Sequence, residues 1–295
     1  MDSLVLGIDI GGSHITAAMT KPEQKLIVQG SWSRKRVNAH GTTREIIHSW
    51  CASINEVFQL YPVKEKKIGI ALPGPFDYAN GIALIKGLDK YDALYGQNVK
   101  QLLADELQIP VKNIRMMNDA AAFLRGEVVS GAGHGYQDVI GITLGTGTGT
   151  ARHHNGTTED ANLGPSPFMD SIADEYFSTR WFVKRYSQLT GKTVNDVKEL
   201  ISLSKGDDSV KTLFGEFTDH LTIFLKQFIE TDQPEVIILG GNIAQASDFF
   251  LADLETKLAI QSIHVPIIKA QLGEEAAIWG AASLFTNLSS SRVVL

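Results

Sequence analysis

The chain has 295 residues, 43% of them hydrophobic and 20% charged, with a formal net charge of -6. That length suits two domains rather than one or four, and the composition is that of an ordinary globular protein, enzyme or binder alike. The acidic balance, with no basic run beyond Arg34-Lys35-Arg36 and Lys64-Glu65-Lys66-Lys67, argues against nucleic acid as a partner.

In chain order, Leu4–Ile10 predicts a short apolar strand ending in glycines, and Ile15–Met19 and Lys25–Ser33 predict two more. Thr43–Leu60 predicts a helix, because Ile46, Ile47, Trp50, Ile54, Val57 and Phe58 recur at helical spacing. Lys67–Leu72 predicts a strand stopped by Pro73-Gly74-Pro75, Gln97–Leu107 a helix, Asn113–Met117 a strand stopped by Asn118-Asp119, and Ala120–Val129 a helix. The second half begins in the same way, with the apolar run Asp138–Leu144 followed by Gly145-Thr146-Gly147-Thr148-Gly149-Thr150. Helices are expected around Ser171–Tyr186, Val194–Ser202 and Ser209–Glu230. A strand over Glu235–Leu239, ending at Gly240-Gly241-Asn242, precedes a helix over Ala244–Leu258, a strand over Val265–Ile268 and a closing helix over Glu274–Phe285. The tail Ser289–Leu295 is expected to fray. Alternating strands and helices imply an α/β fold with largely parallel central strands, and the matching openings of the two halves suggest a duplication.

The single cysteine, Cys51, excludes an intramolecular disulfide and a cysteine-rich zinc centre, and reads as a small buried apolar residue. No apolar run reaches the ~20 residues of a membrane helix. Leu4-Val5-Leu6 runs into Gly7 and Asp9, too short for a secretory leader. A cytoplasmic protein without membrane attachment is expected.

Three glycine turns close apolar strands: Asp9-Ile10-Gly11-Gly12-Ser13-His14, Leu144–Thr150 and Leu239-Gly240-Gly241-Asn242. One such turn would be an ordinary tight turn; three at strand ends favour backbone amides gathered around phosphate. Gly145, Gly147 and Gly149 have the wrong spacing for a dinucleotide-binding fingerprint. Gly191-Lys192-Thr193 lacks the first glycine of a phosphate-binding loop, because Tyr186 stands there. Gly191-Lys192 therefore reads as a turn between helices.

The order of these motifs resembles the ROK family (repressors, open reading frames and kinases) of the sugar kinase/actin/heat-shock ATPase superfamily. Gly7–His14 resembles its first phosphate loop, Gly69–Pro75 its sugar-side strand end, Asn118-Asp119-Ala120 the motif of its catalytic aspartate, Leu144–Thr150 its second phosphate loop, Leu239–Asn242 its adenosine loop, and Gly273–Ala282 its hinge helix. The resemblance implies a two-domain, actin-like (ribonuclease H-like) ATPase fold with an interdomain cleft. The expected domains are 1–118 plus 283–295, and 119–282. It implies an ATP-dependent carbohydrate kinase, glucokinase-like, that uses Mg²⁺ and a hexose or hexose derivative. Asp119 is then the general base, although an aspartate at this place is equally well suited to cap the following helix. Asp9 orients Mg²⁺ through water. Gly11, Gly12, Ser13, His14, Gly145, Thr146 and Gly147 meet the phosphates, His14 being otherwise a solvated loop residue. Gly240, Gly241 and Asn242 lie near the adenosine, and Gly74, Asn118, Glu159 and Asn162 are candidates for the sugar. A homodimer is a further implication.

The family pattern also breaks. Asn162 stands for the glutamate and Pro165 for the histidine of the G-E-I-G-H stretch, the zinc cysteines are absent, and Ala121 fills the last place of N-D-A-N. No zinc is expected, and His153-His154, on opposite faces of a strand, reads as an exposed pair rather than a substitute site. Lys86, Asp89, Glu159 and Asp160 are candidates to rebuild the sugar pocket. The alternatives are a non-catalytic sugar or nucleotide binder with a decayed pocket, a polyphosphate-dependent glucokinase, and a sugar-sensing repressor. The last is disfavoured because only Met1-Asp2-Ser3 precedes the first strand.

Overall fold

The structure is a computed structural model that describes residues 4–286. Its described residues divide into two compact units, one made of Leu4–His134 together with Glu274–Thr286, the other of Gly135–Gly273; the expected fraying of Ser289–Leu295 lies outside the described residues. Each has its own sheet and its own apolar core.

The first unit opens with β1 (Val5–Ile10) and β2 (His14–Lys21), an antiparallel pair. β3 (Leu26–Ile27) and β4 (Ser33–Arg36) both pair with β2. The single strand expected over Lys25–Ser33 is thus two short ones. Pro22–Gln24 forms a 3₁₀ turn and Lys25 takes a left-handed conformation, which breaks the extended path. α1 (Thr43–Leu60) starts at a capping box: Thr42 Oγ1 accepts the Glu45 N–H, and Glu45 Oε2 accepts the Thr42 N–H at 2.8 Å. Its apolar stripe, Cys51 included, is buried as expected. β5 (Ile68–Leu72) is followed by the small hairpin β6 (Phe76–Asp77) and β7 (Ile82–Ala83), then α2 (Val99–Leu107), β8 (Ile114–Asn118) and α3 (Asp119–Ser130). β1, β5 and β8 are parallel, giving the order β3-β2-β1-β5-β8 with β4 also against β2.

The second unit repeats this plan. β9 (Asp138–Leu144), β10 (Thr148–His154) and β11 (Thr157–Asp160) form an antiparallel meander, and a second hairpin joins β12 (Pro167–Phe168) to β13 (Ser171–Ile172). The helices follow as α4 (Asp174–Phe177), α5 (Thr179–Thr190), α6 (Val197–Leu203) and the long α7 (Asp208–Asp232). The one helix expected around Ser171–Tyr186 is therefore interrupted: Ser178 is extended and separates α4 from α5. Gly191 ends α5 in the left-handed conformation, the helix-to-helix turn expected there. β14 (Val236–Gly240), α8 (Leu251–Ile260) and β15 (Ile267–Lys269) complete the unit. Between β14 and α8 the chain forms 3₁₀ turns over Ile243–Phe249 rather than continuous helix. The order β11-β10-β9-β14-β15, with β9, β14 and β15 parallel, is the first sheet's order over again. That repetition supports the inferred duplication. The core is phenylalanine-rich, with Phe182 and Phe217 ring centroids 4.9 Å apart.

α9 (Glu275–Ala282) returns the chain to the first unit, where it packs on α3, β1 and β5. The expected boundaries after residues 118 and 282 thus differ from the packing, which counts α3 and α9 with the first unit. Small residues allow this contact. A Cβ on Gly280 would lie 1.8 Å from the Ala122 carbonyl oxygen, and one on Gly126 would lie 2.0 Å from that of Ala276. Backbone cannot yield as a flexible side chain does. Gly280→Ala should therefore destabilise the protein by about 3 kcal/mol or more. Gly215→Ala, in α7 with open space around it, should be neutral or stabilising by up to about 1 kcal/mol from helix propensity. Denaturant melts of both variants check the contrast; equal stabilities would show that α3 and α9 are not in backbone contact.

Candidate active site

Three parallel strands of the first unit end on one edge of its sheet. Asp9 pairs with Ala71 and Leu72 with Asn118, so the register lines up Asp9, Pro73-Gly74 and Asn118-Asp119. Ligands bind at this carboxyl edge in α/β sheets. Asp119 is the first residue of α3, and the cap it might have formed is made by Asn118, whose Oδ1 accepts the Ala121 N–H at 3.1 Å. Asp119 Oδ1 accepts the adjoining Ala120 N–H at 2.9 Å. Burial raises the Asp119 pKa above the usual carboxylate range, while the Ala120 N–H and the Lys90 charge oppose that rise. Asp9 is also partly buried. Burial first and the Asp119 carboxylate second push its pKa up to about 7, with Arg34 working against and Glu274 reinforcing them. Arg34 donates to Glu274 at 2.5 Å.

The turn after β1 is closed by the Gly11 N–H donating to the His14 carbonyl at 2.9 Å. Gly11 was expected to offer that N–H to phosphate; it is already committed. Among the described residues the Gly12 and Ser13 N–H groups have no such partner. His14 is half-buried at the head of β2, its Nδ1 2.9 Å from Ser13 Oγ, rather than a solvated loop residue. Tyr91, eighty residues on, donates its hydroxyl to the Gly11 carbonyl at 2.6 Å. Gly74 and Asn118 do come together: a Gly74 Cβ would lie 3.1 Å from Tyr78 Oη and 3.8 Å from Asn118 Nδ2, and that Nδ2 donates to Tyr78 Oη at 3.3 Å.

In the second unit, Gly145 uses its N–H within its own turn, donating to the Gly147 carbonyl at 3.1 Å, and its carbonyl accepts the Thr179 N–H at 2.7 Å. The Thr146 and Gly147 N–H groups remain without protein partners among the described residues. Asp174 braces this turn: its Oδ1 accepts the Thr148 N–H at 2.5 Å and its Oδ2 accepts from Arg180 at 2.7 Å. Gly241 has φ +87°, and a Cβ there would sit 2.2 Å from the Leu144 carbonyl oxygen. Only glycine fits, and the contact lays the Gly240-Gly241-Asn242 turn against the residue that leads into Gly145.

Glu159 and Asn162 are held by neighbours within their own unit. Glu159 is paired across strands with Arg152 at 3.8 Å. Asn162 is exposed at a left-handed turn, a conformation asparagine tolerates well. Lys86 lies over the Tyr95 ring and Asp89 is itself left-handed. The His153-His154 pair is not exposed as expected. His153 is buried, with Nδ1 2.6 Å from Thr158 Oγ1. His154 sits between Asp138 at 2.7 Å and Asp232 at 3.2 Å, chiefly the former raising its pKa. Lys90, Tyr91, Asp174 and Thr179 are site residues that sequence reading misses; none belongs to a glycine turn or to a motif.

The ROK family model matches residues 5–166 and 172–287. The chain belongs to the ROK family. Among ROK kinases, an N-acetyl-D-glucosamine kinase of Mannheimia succiniciproducens is 25% identical over 96% of this chain and 99% of its own. A glucokinase of Thermotoga maritima is 25% identical over 95% of this chain and 96% of its own. A ROK hexokinase from Thermus thermophilus shares the fold, with a TM-score of 0.78 at 21% identity, covering 95% of this chain and 97% of the other. The two-domain actin-like ROK architecture is thereby established. Among the described residues no helix is long and apolar enough to cross a membrane.

Does the site fit the groups the family implies? Each glycine turn, taken within its own unit, has amides without protein partners among the described residues, which suit phosphate oxygens. No three metal-binding side chains cluster among the described residues. A carboxylate pair that repels itself at a partly buried edge instead suits Mg²⁺ held through water and phosphate rather than in an all-protein cage.

The raised Asp9 pKa has a stability consequence. Asp9 titrates near 3.8 when unfolded and at about 7 when folded. The folded state therefore binds the proton more tightly, and stability falls as pH rises across that window, then levels off above it. Without nucleotide, Asp9→Asn should melt like the wild type near pH 4 and above it at pH 8, by on the order of 2 kcal/mol. Identical melting curves at pH 8 would mean that Asp9 is not under this electrostatic load.

Proposed function

We propose that this chain transfers the γ-phosphoryl group of ATP to a hydroxyl of a hexose or amino-hexose, with Asp119 as the general base. One observation carries the reading. At the head of α3 the capping task falls to Asn118, leaving Asp119 a partly buried carboxylate of raised proton affinity beside Asp9 and the Gly11–His14 turn. The relatives named N-acetyl-D-glucosamine kinase and glucokinase support the reaction class and the choice of acceptors.

In the transfer, the acceptor oxygen bonds to the γ-phosphorus as the bond from that phosphorus to the β,γ-bridging oxygen breaks, and the bonding pair leaves with ADP. Asp119 takes the acceptor's proton, a role that its raised proton affinity favours. Mg²⁺, when bound with the nucleotide, supplies positive charge to the phosphates. Asp9 would orient it through water, an arrangement its high proton affinity without a cation supports. Gly12, Ser13, Thr146 and Gly147, whose amides have no protein partner among the described residues, would present them to phosphate oxygens. Gly11, His14 and Gly145 shape those turns, while Gly240, Gly241 and Asn242 receive the adenosine. Gly74 and Asn118 border the acceptor; Glu159 and Asn162 have weaker claims.

A coupled ADP-release assay over glucose, mannose and their 2-acetamido derivatives should show turnover with at least one acceptor, and polyphosphate should not replace ATP. Asp119→Asn should lower kcat by roughly 10²–10⁴-fold with nucleotide affinity little changed. Wild-type rates in that variant would remove Asp119 from the role of base; nucleotide or sugar binding without turnover in the wild type would make the chain a binder.

A further inference from the structure

Between the first glycine turn and Asp119 lies a lysine that no motif includes. The stem of Lys90 runs over the turn, its Cδ 3.7 Å from the place a Gly12 Cβ would occupy. Its neighbours hold it there. Asp89 at φ 56° and Tyr91 at φ 57° are both left-handed, a conformation that costs a non-glycine residue free energy and persists only where the surroundings enforce it. Tyr91 enforces it three times over. Its N–H donates to the Ala39 carbonyl at 2.7 Å, its hydroxyl to the Gly11 carbonyl at 2.6 Å, and its buried ring meets the Trp50 edge at 5.2 Å. The Gly87 N–H closes the segment on Asp92 Oδ1 at 2.9 Å. Two left-handed residues thus flank Lys90, and the second of them, a buried tyrosine, is fastened to the glycine turn. The Lys90 charge also bears on the Asp119 carboxylate, so it lies within electrostatic reach of the base.

We propose that Lys90 is a catalytic residue: its ammonium contacts the phosphoryl group in transit from the Gly12 turn to the acceptor oxygen next to Asp119. This rests on the kinase reading above. The transferred group carries charge on its equatorial oxygens, and a preplaced cation stabilises that charge more in the transition state than in the bound reactants. Lys90 gains and loses no proton in this role. Arginine can supply the same charge with a different fork, whereas methionine keeps the stem and removes the charge.

The test uses the full chain with whichever acceptor the wild type phosphorylates. Lys90→Met should lower kcat about 10²–10³-fold with the sugar KM within roughly threefold, and Lys90→Arg should recover at least about tenfold of that loss. A second readout needs no turnover. Calorimetric affinity for ADP, Mg²⁺ and sugar with aluminium fluoride, which mimics the phosphoryl in flight, should fall more than about tenfold in Lys90→Met, while ADP alone binds as in the wild type. Thermal melts establish that both variants are folded. A kcat within threefold of the wild type overturns the proposal and leaves the kinase reading intact. So does a change confined to the sugar KM, which would make Lys90 an acceptor contact, or an unchanged affinity for the aluminium fluoride complex. A wild type that phosphorylates no acceptor with either donor overturns the kinase reading itself, and this proposal with it.

Discussion

Everything at the carboxyl edge of the first sheet depends on how closely α9 can approach. Its backbone lies against that of α3 through Gly126 and Gly280, with Gly7 of β1 and Gly69 of β5 equally bare beneath it. A helix seated backbone to backbone has almost no freedom to slide, because carbonyl oxygens, not pliable side chains, form the contact. α3 is held by that contact, and its first residue is Asp119. The Asp119 carboxylate is therefore placed by residues with no side chain at all.

The same edge stores electrostatic cost. Two partly buried carboxylates, Asp9 and Asp119, lie at strand ends of this edge, the charge of Asp119 bears on Asp9, and both hold their protons more tightly than exposed aspartates do. A protein selected only for stability would not keep the pair. Its persistence is understandable if a cation and a phosphate complete the arrangement, since the free energy lost by the empty site is returned when ligand binds. The second unit builds its glycine turns differently, with Asp174 and Thr179 bracing the loop from outside while the backbone amides of Thr146 and Gly147 have no protein acceptor among the described residues.

Much of this was legible along the chain. The long helix over Thr43–Leu60 follows from apolar spacing and a capping box, both local in origin. The strands that end at Gly11, Asn118, Gly145 and Gly240 follow from apolar runs cut short by glycine or aspartate. The failures were equally physical. Ser171–Tyr186 has helical composition, yet Ser178 is extended where its chain segment must feed the Gly145 loop, so a tertiary demand overrode local preference. His153-His154 looked exposed because alternation along a strand does not reveal what covers each face: His153 is buried, and His154 lies between Asp138 and Asp232. Gly11 and Gly145 were right as turn residues, but their own amides are consumed in forming the turns.

Sequence alone determined the α/β alternation, the doubling of the plan and the glycine-bearing strand ends, because these depend on period and on residues with special backbone freedom, which are local properties. It also carried the family membership, through motifs in a recognisable order. Only the tertiary structure decided that Asn118 caps α3 and so frees Asp119, that α3 and α9 belong with the first sheet, and that Tyr91 and Lys90 reach a turn eighty residues earlier. Capping, helix seating and the docking of a distant loop are choices among several partners that a sequence permits equally. They are settled by close packing, which excludes all but one.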